Sequence, residues 1–294
     1  MTVKKNIFDN KWAQILLWVV ILIVAWEVAA VIVGFTKRTP ENILPHLYQI
    51  IAAAFSANPV SADMSASKLV MSAAQATILR AFIGFSLGMI LGFCLALLMK
   101  ISGILEKLVF PYLMLILLIP VLGLAPIILA ITGDINQSRI IIAAILSFYP
   151  VATNTLAGMK SVDKDKLDLM FIYAANKREV YKKVLIPAAM PYFFTGIKIA
   201  APMAVTASIL VDTLQGDGGL GCILSQSLKH AMSIYVFWLI VFLSAFIGVG
   251  STYLASFIEY MFTPEKRVYR KVRRKEEHYD RGKIHTKEKF IQKA

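Results

Sequence analysis

Six long apolar stretches constrain this chain more than any other feature of its sequence. They cover residues 12–34, 81–99, 108–131, 140–159, 188–211 and 234–262. A helix needs roughly 20 mostly apolar residues to cross a membrane, and each stretch reaches or nearly reaches that length. Charged residues make up only 17% of the chain, whereas soluble domains are about one quarter charged. The sequence therefore predicts an all-α, polytopic membrane bundle of about six transmembrane helices.

Two of these stretches have features of their own. The third contains Pro120 and Pro126, so we expect it to be kinked or broken. The first follows Lys4, Lys5 and Lys11, as a signal peptide would. Because it is long and no small-residue cleavage site closes it, we interpret it as a retained helix.

The basic residues predict an orientation. With the N-terminus inside, the inner segments carry 24 of the 31 Lys and Arg residues, and the outer segments carry six. Basic residues mark cytoplasmic loops. Both termini are therefore expected in the cytoplasm, and most of the net charge of +13 reflects topology.

The chain is expected to form one membrane domain with flanking parts. These are an N-terminal helix in residues 1–39, a core in residues 40–262 and a basic tail in residues 263–294. The tail is interpreted as an anchor to anionic lipid, with a specific partner or nucleic acid as the alternative. Within the core, Ile43, Leu47, Ile50, Ile51 and Ala54 predict an amphipathic interfacial helix, and a second weak helix starts near Ala66.

Sequence motifs for ATP, metal or dinucleotide binding are missing or lie in the wrong structural context. The chain has no G-x-x-x-x-G-K-[ST] sequence for ATP binding, and its four His and two Cys residues form no cluster with metal spacing. Gly216, Gly218 and Gly221 match G-x-G-x-x-G, but membrane stretches flank them instead of a strand and a helix. We interpret this outer segment, Thr213–His230, as a flexible turn.

Small and charged residues inside the stretches are candidates for packing and for a substrate path. Gly84, Gly88 and Gly92 recur every four residues, which predicts one helix face for close packing. Lys198 is a weak candidate for contact with an anionic cargo, either in the pore or snorkelling inward. Asp212 and Glu259 are expected at the membrane interfaces. Glu27 is expected to pair within the bundle or to lie near an interface.

The inner segment of residues 160–187 is the most patterned loop. Leu167, Met170, Phe171 and Ala174 follow helical spacing, and Val180, Tyr181 and Val184 continue an apolar stripe opposite four basic residues. The pattern predicts one or two short cytoplasmic helices with an apolar face. From the pattern alone, that face suits either the lipid surface or the docking of another protein.

The same segment resembles the EAA loop of binding-protein-dependent ABC permeases. That pattern reads E-A-A, three residues, G, nine residues, I-x-L-P. Anchored on Pro187, its isoleucine and leucine fall on Val184 and Ile186, and its acidic start falls on Asp168. Its two alanines fall on Leu169 and Met170. Its glycine falls on Ala174, a departure that we expect to affect the bend between the two helices.

Other stretches resemble the nitrate, sulfonate, taurine and riboflavin-precursor or pyrimidine-precursor branch of that family. They begin at Ala76-Thr77-Ile78-Leu79-Arg80, Leu118-Ile119-Pro120, Phe148-Tyr149-Pro150 and Gly219-Leu220-Gly221. The likeness covers roughly residues 40–262. It implies the fold of a type I ABC importer permease in the bacterial plasma (inner) membrane.

The resemblance also implies a function. The chain would form the translocation path for a small nutrient, such as a nitrate-like or sulfonate-like anion or a vitamin or pyrimidine precursor. Its partners would be cytoplasmic ATPase subunits, a second permease copy or paralogue, an extracytoplasmic substrate-binding protein and lipid. Hydrolysis of ATP would occur on the separate ATPase, so the chain would be no enzyme and would need no cofactor or metal.

The candidates for the substrate path are Lys198, as a charge inside a membrane stretch, and Pro120 and Pro126. The resemblance assigns the residues that would couple to the ATPase. The ATPase-coupling positions would be Asp168, Met170, Phe171, Ala174, Ala175, Lys177, Val180, Tyr181, Val184 and Pro187.

Three other classes of function are alternatives. A secondary transporter driven by an ion gradient often has paired repeats and midplane acids, and neither is visible in the sequence. A membrane-embedded enzyme needs a cluster of His, Asp or Ser at a membrane face, and none stands out. A structural membrane protein leaves the patterned inner loop unexplained.

Overall fold

The computed structural model describes residues 11–38, 42–56, 58–61, 64–118, 120–215, 218–229 and 234–262. The described residues are almost entirely helical, with one two-stranded antiparallel ribbon that pairs Pro59 with Ser65. In chain order the elements are α1 (Lys11–Thr36), α2 (Leu47–Phe55), β1 (Pro59–Ser61), β2 (Met64–Ser65), α3 (Ala66–Ile101), α4 (Gly103–Leu118), α5 (Val121–Thr132), α6 (Ile135–Lys160), α7 (Lys164–Ile172), α8 (Lys177–Val180), a π-helical turn (Tyr181–Leu185), α9 (Ile186–Gln215), α10 (Leu220–Lys229) and α11 (Ile234–Phe262).

Five of the described helices are long and apolar enough to cross a membrane: α1, α3, α6, α9 with the turns before it, and α11. The third apolar stretch of the sequence is not one helix but two, α4 and α5. The break lies at Pro120, which is the N-cap of α5. Proline lacks an amide hydrogen and is tolerated at the start of a helix, which fits its place at the start of α5. Pro126, by contrast, lies inside α5.

The helices α3, α6 and α9 form the centre of the bundle, and glycines bring them close together. A Cβ atom added at Gly88 of α3 would lie 2.4 Å from the carbonyl oxygen of Ala144 in α6. Gly84 and Gly92 face α6 in the same way. A Cβ atom at Gly196 of α9 would lie 2.7 Å from the carbonyl oxygen of Pro150 in α6. At these four positions there is no room for a side chain between α3 and α6 or between α6 and α9.

The bundle has two ends, which we call the loop end and the far end. The loop end contains the segment between α6 and α9, and its buried core includes Met99, Leu156 and Leu185. The far end contains α10 and the start of α11, with a buried core that includes Val70, Leu220 and Ile240. Helix α11 ends at the loop end, where Phe262 contacts Phe194 of α9. Helix α1 also begins at the loop end, since its last turns contact the start of α11 at the far end. The start of α1 and the end of α11 therefore lie on the same side as the α6–α9 segment.

A patch at Trp26 and Glu27 connects α1 to the bundle at the far end. The indole of Trp26 packs edge-on against Trp238 of α11, with ring centroids 4.7 Å apart. The Glu27 carboxylate lies 2.6 Å from His46 Nδ1 and accepts a hydrogen bond from the amide of Leu47 at 2.9 Å. The expected pairing of Glu27 is therefore confirmed, and it ties α1 to the start of α2.

The connecting segments partly differ from the sequence-based expectations. The predicted interfacial helix is present as α2, but it begins at Leu47 and leaves Ile43 outside. The weak helix expected from Ala66 is continuous with the second membrane helix in α3. The segment Thr213–His230 is not a simple turn, because Leu220–Lys229 forms α10. The basic tail 263–294 and Gly216 lie outside the described residues.

Candidate functional site

The segment between α6 and α9 folds as a helical loop at one end of the bundle. Helix α6 ends at Lys160, α7 follows from Lys164 to Ile172, and α8 leads through the π-helical turn directly into α9. Because α6 and α9 belong to the packed centre of the bundle, this loop is attached at both of its ends to the same rigid core.

A left-handed residue produces the bend between α7 and α8. Ala174 has φ of +49°, and it is the only non-glycine residue with positive φ in the described part of the chain. The amide of Ala174 donates to the carbonyl of Phe171 at 2.9 Å, and that of Ala175 donates to Met170 at 3.0 Å. This pair of bonds is the Schellman motif, whose left-handed position usually holds glycine. Ala174 is the position at which the EAA pattern has its glycine.

The second half of the loop starts with a capping box that the sequence reading missed. The Asn176 side chain accepts a hydrogen bond from the Glu179 amide at 3.0 Å, and the Glu179 carboxylate accepts one from the Asn176 amide at 3.1 Å. Lys183 Nζ then lies 3.1 Å from the same carboxylate. The sequence signal was available as Asn-x-x-Glu, which is a variant of the usual Ser/Thr-x-x-Glu box.

The loop has one face on the bundle and one face outward. Leu167, Val180 and Tyr181 pack against the core of the loop end. The side chains of Phe171, Ile172 and Tyr173 point away and are 85%, 77% and 75% exposed. Of the ten predicted coupling residues, the exposed ones are Asp168, Phe171, Ala174, Lys177 and Pro187, and the half-buried ones are Met170, Ala175, Val180, Tyr181 and Val184.

The ionisable groups inside the membrane helices are paired. Lys198 Nζ of α9 lies 2.5 Å from a carboxylate oxygen of Glu259 in α11. Asp212 lies 2.7 Å from Arg139 Nε, and both side chains are fully buried. Asp212 and Glu259 lie near the ends of α9 and α11, and their side chains are buried between helices. Their interfacial depth stays a prediction. Each binds a basic residue that is distant in sequence, and no local pattern reveals such a pair.

Helix α9 also has one exposed face, although it is the most buried of the membrane helices. Tyr192, Thr195, Ile199 and Thr206 are exposed and recur at helical spacing. Each threonine hydroxyl donates to the carbonyl of a proline four residues earlier, Thr195 to Pro191 at 2.9 Å and Thr206 to Pro202 at 3.0 Å. The other faces of α9 contact α3, α5, α6, α10 and α11.

A groove of about 180 Å³ lies between α3, α9 and α11. Eleven of its twelve lining residues are apolar, and the remaining one is Ser251. Such a lining suits hydrocarbon better than a hydrophilic nutrient, which needs polar groups to replace its water. The groove is therefore a poor candidate for a substrate path within one copy of the chain.

Comparison with protein families gives a match over residues 84–267 to the family described as "Binding-protein-dependent transport system inner membrane component". The formylaminopyrimidine transport permease protein ThiX of Halalkalibacterium halodurans is 32% identical over 205 residues, which cover 70% of this chain and 77% of ThiX. The nitrate import permease protein NrtB of Synechocystis is 24% identical over 262 residues, which cover 88% of this chain and 92% of NrtB.

Among solved structures, the chain is similar to the MetNI methionine ABC transporter in its inward-facing conformations. The match has a TM-score of 0.60 at 18% identity and covers 67% of this chain and 97% of the other. At this identity the likeness concerns the fold alone.

Proposed function

The chain belongs to the family of binding-protein-dependent transport system inner membrane components, and on this premise we propose how it couples to ATP and where its cargo passes. As a permease of this family, it forms the translocation path of an ABC importer. The loop between α6 and α9 docks onto a cytoplasmic ATPase subunit. ATP is hydrolysed on that separate subunit, and its closure moves the loop together with the two helices to which it is attached.

The observation that carries this proposal is the exposed apolar face of the loop. Phe171, Ile172 and Tyr173 are three consecutive, highly exposed apolar or aromatic side chains next to the bend at Ala174. Exposed apolar patches beside polar residues are typical of interaction sites. A docking helix in a groove uses such side chains as anchors. The capping box and the Schellman motif fix the direction of these anchors before any partner arrives.

The proposed orientation puts the loop end in the cytoplasm. Seven Lys and Arg residues lie in the segment from Lys160 to Pro187. Helix α11 ends at the same end of the bundle, and the sequence after it is rich in basic residues. Basic segments resist translocation, so this end stays on the cytoplasmic side. Both termini are then cytoplasmic, and α2 and α10 lie on the outer side.

We place the cargo path along the exposed face of α9, between this chain and a second permease copy or paralogue. Thr195 and Thr206 supply hydroxyl groups on that face, while the groove inside one copy is apolar. The other faces of α9 are occupied by its own bundle. A second permease that covers this face would therefore enclose a path lined by both chains.

Cysteine accessibility tests this path. In a chain with Cys94→Ala and Cys222→Ala, Thr195→Cys and Thr206→Cys should react with a hydrophilic thiol reagent in membranes. Ser86→Cys is the matched control, because the Ser86 hydroxyl is also exposed and also bonds the carbonyl four residues earlier, but on α3. Equal, slow reaction at all three positions would place the α9 face in lipid and remove it from the path.

For the cargo we propose a small pyrimidine-like vitamin precursor, because the relative at 32% identity is named for formylaminopyrimidine transport. A small anion such as nitrate is the second candidate. The observation that favours it is that the relative NrtB of Synechocystis, 24% identical over 262 residues, is named for nitrate import. Binding of formylaminopyrimidine and of nitrate to the substrate-binding protein that works with this chain decides between them.

The loop proposal is tested in the reconstituted complex by comparing ATP hydrolysis with uptake. Phe171→Asp should uncouple the two activities, since a carboxylate replaces an apolar anchor without touching the bundle. Lys166→Asp is a control on the same helix, because the Lys166 side chain is exposed and makes only a distant contact with Asp163. Normal uptake by the Phe171→Asp variant would show that the exposed face does not dock.

A further inference from the structure

A single carboxylate joins three helices and a turn at the far end of the bundle. Asp212 of α9 lies 2.7 Å from Arg139 Nε of α6 and 3.5 Å from Arg80 Nη1 of α3. Its second oxygen accepts a hydrogen bond from Thr77 Oγ1 of α3 at 2.8 Å. The side chains of Asp212 and Arg139 are fully buried, and that of Arg80 is 18% exposed. This cluster has no part in the docking loop.

The same residues hold residues 218–221, which are the two residues before α10 and its first two residues; we call this segment the turn at residues 218–221. Arg139 Nη2 donates to the carbonyl of Gly218 at 3.1 Å, and the amide of Leu220 donates to Thr77 Oγ1 at 2.9 Å. The amide of Gly221 also donates to Asp212. The turn is therefore held by hydrogen bonds to the Asp212 carboxylate and to Thr77 and Arg139, the two side chains that the carboxylate positions.

The turn also packs against Asp212 without any free space. A Cβ atom at Gly219 would lie 2.1 Å from Asp212 Oδ2, and one at Gly221 would lie 2.0 Å from the carbonyl oxygen of Ile209. Gly219 has φ of +97°, which side chains rarely adopt. The glycines thus allow the backbone of the turn to lie directly on the carboxylate.

We propose that Asp212 is a positioning residue that makes the turn at residues 218–221 move together with α3, α6 and α9 when the docking loop is moved. This inference rests on the proposed function of the loop. The three helices are joined by glycine contacts along their length, and the loop is attached to two of them. A displacement at the loop end then reaches the far end through a rigid unit. Asp212 transfers it to the turn, which forms part of the outer face.

A carboxylate suits this role better than a neutral amide. Buried guanidinium groups are costly unless they are paired, and a charged acceptor bonds to them more strongly than a neutral one. Asparagine at position 212 would remove the negative charge that Arg80 and Arg139 contact and would weaken the orientation of Arg139 toward Gly218. The turn would then lose its link to the helices while the glycine contacts between the helices remain.

Hydrogen–deuterium exchange in the reconstituted complex tests this proposal. Exchange of residues 164–176 and of residues 213–229 is compared between the nucleotide-free complex and the complex trapped with ADP and vanadate. In the unaltered chain, both segments should change on trapping. In Asp212→Asn, the loop should still change and the turn should not. Uptake per ATP hydrolysed should fall about two- to thirtyfold, the range expected for a residue that carries coupling between distant sites.

Two further variants make the result decisive. Asp134→Asn is the matched control, because Asp134 caps α6 at the same end and asparagine caps equally well. It should leave both responses intact. If Asp212→Asn does not accumulate in membranes, Thr77→Val removes one link to Leu220 without changing any charge and should reduce the response of the turn.

Two outcomes contradict the proposal at different levels. A response of the turn that survives both Asp212→Asn and Thr77→Val would overturn the role of Asp212 while leaving the docking loop in place. A loop that does not respond to nucleotide in the unaltered chain would instead remove the proposed function on which this inference depends.

Discussion

At the scale of single residues, the sequence pattern identified Ala174 as an important position but did not reveal the backbone conformation that makes it so. The spacing of the loop pattern identified Ala174 as the position of a glycine. The reason is a left-handed backbone at φ of +49°, and only the structure shows it. For residues with a Cβ atom this conformation costs roughly 1–2 kcal/mol. The chain maintains the bend despite the unfavourable residue, because two backbone hydrogen bonds close it.

The first residue-scale prediction concerns this bend. Ala174→Gly should preserve the coupling of ATP hydrolysis to uptake and stabilise the protein by up to about 1 kcal/mol, because glycine has no penalty at positive φ. Ala174→Val should lower coupling, since a β-branched residue strongly disfavours this conformation. Thermal unfolding in detergent measures the stability, and uptake per ATP hydrolysed measures the coupling. Full coupling by the valine variant would mean that the bend is not required.

The second residue-scale prediction concerns Lys198 and Glu259. Lys198→Met should destabilise the protein by up to about 3 kcal/mol, because it leaves the largely buried Glu259 without its cation. The double variant Lys198→Met with Glu259→Leu should recover most of that stability, since both charges are removed together. It should also recover uptake if the pair only ties α9 to α11. Recovered stability without uptake would instead support the contact of Lys198 with cargo.

The ion pair of Arg139 and Asp212 could not be predicted from the sequence, and the reason is physical. Arg139 and Asp212 are 73 positions apart, and each sits next to the polar residues of an apparent loop. Sequence patterns report periodicity within one element, whereas this pair depends on how α6 and α9 lie against each other. Only packing decides whether such a charge faces water or a partner.

At the scale of elements, the sequence located every long helix but not its exact limits. The start of α3 at Ala66 lies 15 residues before the predicted span, because the segment before Ala81 is less apolar yet still helical. The third span was correctly expected to be interrupted, and the break lies at Pro120. Helix α10 was missed, because the glycines around its start, Gly218, Gly219 and Gly221, resemble a loop.

The element-scale prediction concerns the contact between α3 and α6. Gly88→Ala should destabilise the protein by about 1–3 kcal/mol, since the added methyl group would meet the backbone of α6 at 2.4 Å. Gly250→Ala in α11 is the control, because no atom lies within 4 Å of the position that its added methyl group would take. Thermal unfolding of both variants in the same detergent provides the comparison. Equal stability of the Gly88→Ala and Gly250→Ala variants would mean that α3 and α6 can move apart to accept the added methyl group without a loss of stability.

At the scale of the whole molecule, the bundle has a closely packed centre and, at one end, a loop with exposed apolar side chains. The helices α3, α6 and α9 meet through glycines, and the loop between α6 and α9 presents Phe171, Ile172 and Tyr173 outward. Family membership makes this chain a permease that works with other subunits. On the function proposed above, movement of an ATPase subunit would enter at the loop and pass through the packed helices.

The most direct measurement of the central claim is retention of the ATPase by the solubilised chain. Membranes that contain both proteins are dissolved in mild detergent, and the ATPase that co-purifies with the chain is quantified. We predict that Phe171→Asp loses most of the ATPase, while Phe171→Leu, which keeps an apolar anchor, retains it. Equal retention by the unaltered chain and the Phe171→Asp variant would contradict the assignment of this loop as the docking site.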